Sequence, residues 1–166
     1  MPSERASGPV GRPAVGVDLP LRRQEWELLV RLPRAVLVVA CAGDRDVDAV
    51  AGVEAIAAGQ RSRALLVRGV VAAIFSEQLT DEDIDSGNVQ PDAVLAECGC
   101  AVRLLAERLG TDSALAYGEW LMDIAASVGR AAWQGGWIRL GGVEIQLAER
   151  RLVNGIAQEL ARALGR

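Results

Sequence analysis

The chain has no histidine and no lysine; all eighteen of its basic residues are arginine. Histidine is the commonest general acid and base near neutral pH, and lysine is the usual Schiff-base nucleophile, so both roles lack their ordinary carriers. Arginine does not release its proton in proteins, and a carboxylate needs special burial to act as an acid there. The chemistry that remains is carboxylate, guanidinium, thiol and indole. The lysine gap fits a high-GC coding bias toward Arg and Ala codons. Aromatic residues are also few, with one Tyr and one Phe beside four Trp, and the apolar half of the chain is Ala, Leu and Val, which suits close helix packing better than sheet. No long hydrophobic run is present: the longest, Ala35 to Gly43, is far short of the roughly 20 residues a membrane helix needs, so no membrane insertion is expected. Basic charge is not in excess. A net charge of −4 and a pI near 5.0 argue against a nucleic-acid ligand, which needs a positive face to displace counterions. Three cysteines, Cys41, Cys98 and Cys100, are an odd number and do not form a secreted disulfide framework. With no apolar signal stretch in Met1 to Gly16, this reading expects a cytoplasmic protein.

What is present is helical periodicity. Residues 1–17 carry three prolines and no apolar period, and read as a loosely attached arm before a single helical domain over 18–166. Leu21 to Leu32 sets Leu21, Trp26, Leu29 and Val30 on one face, and Pro33 is expected to end or kink that helix. The run RAVLVVACA has the β-branched content of a strand, but the Ala-rich sequence after it and the want of partner strands favour helix. Asp48 to Ala58 continues helical, and Gly59, Gln60 and Arg61 close it. Ser62 is placed to cap Arg63 to Glu77, whose nearly all-round apolar character predicts the central helix. Pro91 opens a helix that Gly110 stops, and Asp112 or Ser113 caps a long helix to about Gln134, where Tyr117, Trp120, Leu121, Ile124 and Val128 follow the 3.6 period. Two Gly-Gly pairs in GGWIRLGGVEI predict a short hairpin or loop. In the last helix Leu152, Ile156, Leu160 and Ala163 face inward, while Arg150, Arg151, Glu159 and Arg162 stay in water. The expected fold is an all-α bundle of six to seven helices with that Gly-rich hairpin or loop before the last one.

Candidate sites are few. From Glu77 to Glu97 there are seven acidic residues and no basic one. Asp81, Asp83, Asp85 and Asp92 approach the alternation of a calcium loop, although Ser86 stands where the sharp-turn glycine belongs and Asp92 where a bidentate Glu would close the shell. Calcium or magnesium is the only cofactor this suggests; otherwise the loop is a solvated surface or a face for an Arg-rich partner. Asp44, Asp46 and Asp48 alternate likewise, and are explained by capping of the next helix. Cys98 and Cys100 would point to opposite sides of a helix and cannot share a metal. Glu119 and Asp123 sit one turn apart on an exposed face. Trp120, Trp133 and Trp137 are candidates for core packing or for lining a pocket between helices. No catalytic triad, P-loop or dinucleotide fingerprint is present.

The segments VVACAGDRDVDAVAGVEAI and RAAWQGGWIRLGGVEIQLAERRL share a layout: an apolar helix, a Gly/Asp turn, and a helix opened near a glutamate. This layout resembles the tellurite-resistance TerB-like helical domains over about forty residues in two pieces, with Asp44, Asp48 and Glu54 matching the first turn and Glu144 and Glu149 the second. The second turn departs from that pattern, with glycines and Trp137 where the family has aspartate. The resemblance implies a cytoplasmic, stress-associated scaffold whose acidic residues bind a divalent cation. The reading as a whole is a non-catalytic helical interaction domain, partnered by a second copy or another protein. Its alternatives are a divalent-cation domain using loop 80–92 and a small-molecule binder with a Trp-lined pocket.

Overall fold

Proline inside a helix removes one amide donor, and how the protein answers that loss organises its core. The computed structural model describes residues 19–41, 49–77, 89–134 and 142–165. These form α1 (Arg23–Ala40), α2 (Ala49–Ala58), a 3₁₀ turn (Gly59–Arg61), α3 (Leu65–Glu77), α4 (Pro91–Arg108), α5 (Thr111–Gln134) and α6 (Gly142–Ala163), with no strand among the described residues. The all-α bundle is therefore as expected. Helix α1 nevertheless continues past Pro33, where the sequence predicts an end or a kink. A proline at 33 has no N–H to give the carbonyl of Leu29, its i−4 neighbour. The Tyr117 hydroxyl, from α5, donates to that carbonyl at 2.8 Å. A tertiary hydrogen bond thus replaces the helical one, and the helix continues.

Side-chain contacts between helices fix their directions. Arg31 pairs with Glu97 at 3.0 Å and Arg108 with Glu25 at 3.3 Å, so α1 and α4 run antiparallel. Glu25 also accepts from the Arg22 amide at 2.7 Å, which starts α1 and is the main reason its carboxyl lies below the ordinary range, with the Arg108 charge adding to it. Trp26 lies by Gly69 and the Arg34 guanidinium donates to the Ile74 carbonyl at 2.9 Å, so α3 runs parallel to α1. Leu37 covers Gly52 while Trp120, one turn from the Tyr117 that meets Leu29, abuts Gly59, so α2 is antiparallel to α1; Leu95 against Gly155 and Arg103 with Glu159 make α4 parallel to α6. Leu160 rests on Gly118 and Glu149 on Gly129, which makes α6 antiparallel to α5. Successive helices therefore alternate up and down.

The hub of this bundle is α5, which, like α1, touches all five other helices and packs most extensively, chiefly on α6, α4 and α2. The sequence points to α3 instead, because its apolar residues run nearly all round. In the structure α3 packs on α1, α5 and the 3₁₀ turn with Leu66, Val67, Val70, Val71 and Ile74, and leaves Leu65 and Phe75 exposed. Its outer face sets Leu65 and Phe75 beside the exposed Arg68 and Ser76. Pro91 opens α4 as expected, and Gly110 ends it with φ at +91°, a conformation other residues rarely adopt. Leu152, Ile156 and Leu160 face the core from α6, but Glu159 does not stay in water. It sits half-buried over Gly99 and binds both Arg103, at 3.1 Å, and Arg162. Gly142 to Ile145 begin α6, and the rest of the expected Gly-rich hairpin or loop, residues 135–141, lies outside the described residues.

Candidate functional site

Between α2, the 3₁₀ turn and α5 lies an open groove of about 860 Å³. Its floor is small: Ala51, Ala55 and Ala58 from α2, Ala64 beyond the turn, and Ala116 from α5. Trp120 forms the bottom, nearly buried, with its Nε1–H donating to the Ala55 carbonyl at 3.3 Å and its ring meeting Tyr117 edge-on at 5.8 Å between centroids. Gly59 is required there, because a β-carbon would come within 2.8 Å of the indole Nε1 and of Val71. The α5 side of the groove is a single helical face, Ala116, Glu119, Trp120, Asp123, Ser127 and Arg130, each with another of the six three or four residues away.

The groove rim carries six charged side chains: Glu54, Arg61, Arg63, Glu119, Asp123 and Arg130. All six are exposed. Among the described residues none of them forms an ion pair or a side-chain hydrogen bond, whereas Arg31, Arg103 and Arg108 elsewhere each tie one helix to another. Charges that stay solvated and unpaired are available to a partner at little desolvation cost compared with buried ones. The groups present suit ion pairing more than proton transfer: they are guanidinium groups and water-facing carboxylates.

The residues singled out in the sequence are scattered by this fold. Trp120 lines the groove as a pocket residue would. The backbone of Trp133 continues α5, and Trp137 lies outside the described residues, as do Asp44, Asp46, Asp48, Asp81, Asp83 and Asp85. Asp92 is exposed in the first turn of α4, and Glu54 stands on the groove rim of α2. Glu144 belongs to the first turn of α6, and Glu149 is half-buried against Gly129 of α5. Glu54 and Glu149 are thus on different helices, and among the described residues no group of three or more His, Cys, Asp or Glu side chains is placed to hold a metal. Arg61, Arg63 and Arg130 were not visible as a set, since Arg61 and Arg63 flank Ser62 just after Gly59 whereas Arg130 lies far along the chain in α5.

The cysteines are divided as helical geometry requires, Cys98 buried and Cys100 exposed beside Arg103. Burial, followed by the nearby Glu97 charge, pushes the Cys98 thiol up to about 12. In the native protein a water-soluble disulfide reagent is expected to label Cys100 quickly and Cys98 only on unfolding. Labelling of Cys98 at the Cys100 rate, read by mass spectrometry, would contradict this packing.

No helix among the described residues is long and apolar enough to cross a membrane. Compared with protein-family models, curated proteins and solved structures, the chain matches none. Its function therefore has to be argued from this geometry.

Proposed function

We propose that this protein is a non-catalytic helical scaffold, an interaction domain that self-associates through the outer side of α2 and α3. The supporting observation is where large apolar side chains meet water. Val50 and Val53 on α2 and Leu65 and Phe75 on α3 are exposed, Val50 by 71 % and Leu65 by 59 %, while the described parts of α1, α4 and α5 expose none. Leu147 of α6 is the one other such residue among those described. Single exposed apolar residues are ordinary, but four on the two helices that flank the 3₁₀ turn, next to an unpaired charged groove, suit an interface with apolar and polar parts.

Light scattering at rising concentration is the test. The mass is expected to climb above that of one chain, and the pair of substitutions Val53→Arg and Leu65→Arg is expected to hold it at one chain with the helical signal unchanged. A mass that climbs equally in the variant would contradict this surface, and a wild-type mass independent of concentration would contradict self-association.

A further inference from the structure

Self-association through this side leaves the orientation of the second copy to be found, and the groove has a direction. Because α2 runs antiparallel to α5, Arg61 and Arg63 lie at the turn end with Glu119, and Glu54 and Asp123 lie toward the other end with Arg130. Two arginines and one glutamate give the turn end a charge of +1, and two carboxylates and one arginine give the other end −1. The groove is about 20 Å long, from the rise of α5 between Ala116 and Arg130. A charge pattern of opposite sign at the two ends complements itself when one copy is turned by 180° about an axis through the middle, since each positive end then meets a negative end. Stacking two copies in the same direction would set like charge on like.

Leu65 follows the turn at the positive end, and Val50 and Val53 belong to the first turns of α2 at the negative end; none of the three lines the groove, so its charged rim alone sets the register. The small floor of the groove removes the large side chains that would hold the two surfaces apart.

We propose that two copies of the chain pair groove to groove about a two-fold axis, with Arg61 and Arg63 of one copy against Glu54 and Asp123 of the other. This rests on the self-association argued above and adds its register. The four residues are exposed and unpaired in the structure, so exchanging them tests the contact without disturbing the core.

A reciprocal charge exchange is decisive because a two-fold contact occurs twice. One variant carries Arg61→Glu and Arg63→Glu; a second carries Glu54→Arg and Asp123→Arg. Alone, each variant opposes like charges at both contacts, and its dissociation constant is expected to rise at least about tenfold over wild type. Mixed in equal amounts, the two variants oppose unlike charges at both contacts, and heterodimers are expected with a dissociation constant within about threefold of the wild-type value. Sedimentation velocity with one variant carrying a fluorophore reads the mixture directly, and circular dichroism checks each fold. Variants that self-associate like wild type, or a mixture that stays dissociated, would overturn the two-fold register while leaving self-association standing. A wild-type chain that stays single at every concentration would overturn both, and would leave the groove to an unlike partner.

Discussion

Replacing Tyr117 by alanine is expected to lower the stability of the bundle by about 3–5 kcal/mol, the cost typical of a buried aromatic. The ring is fully buried at the hub helix, in edge contact with Trp120. The more informative substitution is Tyr117→Phe, which keeps the ring and removes only the donor to the Leu29 carbonyl. That carbonyl has no other donor from its own helix because residue 33 is proline, so the expected cost is about 1–3 kcal/mol, that of a buried acceptor left unmatched. Changing Pro33→Ala returns a backbone N–H to the same carbonyl. In that background Tyr117→Phe is expected to cost less by about 1 kcal/mol, a coupling that urea titration of the four proteins measures. Strict additivity of the two substitutions would contradict the account of how α1 passes through its proline.

The same hydroxyl gives an alkaline signature. Burial raises the Tyr117 pKa well above its ordinary value of 10. Its stabilising effect is therefore complete below that value. As pH rises above 10 the unfolded chain gives up the phenolic proton and the folded chain does not, so stability falls. The sequence has one tyrosine, and its phenolate absorbance is expected to appear together with loss of helical dichroism and not before.

The second large effect is expected at Trp120. Changing it to alanine removes the bottom of the groove, the hydrogen bond to the Ala55 carbonyl and the contact with the close-packed Gly59, at an expected cost of about 3–5 kcal/mol. Helix α2 is ten residues long and holds to the bundle chiefly through α5, so the loss falls unevenly. Amide exchange in α2 and the 3₁₀ turn is expected to speed up well before that in α4 and α6. Uniform acceleration across all helices would show that Trp120 supports the bundle as a whole and has no special hold on α2.

Where the sequence could be read and where it could not follows from the range of the forces involved. Helix α5 was legible in full because Tyr117, Trp120, Leu121, Ile124 and Val128 repeat at the period of one continuous buried stripe. Pro91 and Gly110 bounded α4 because each acts on its own backbone. That Pro33 does not end α1 was not legible for the opposite reason: the group that relieves it is 88 residues along the chain from the carbonyl it binds. The apolar surface of α3 suggested a central helix, yet composition alone cannot tell an apolar face covered by the same chain from one left for a second chain. The groove was the least legible feature. Its lining draws on α2, the turn after it and α5, and in the sequence Trp120, Glu54 and the pair Glu119 and Asp123 stand out each for a different reason. Glu119 and Asp123 were legible as exposed, which they are; that Arg61 and Arg63 lie along the same groove depends on the antiparallel packing of α2 and α5.

Sedimentation equilibrium of the unmodified chain, followed from about 1 μM to about 1 mM, the span of weak reversible association, tests the central claim most directly. The account predicts a weight-average mass that starts at the 17.6 kDa of one chain and rises toward twice that value. A mass fixed at 17.6 kDa throughout would contradict it.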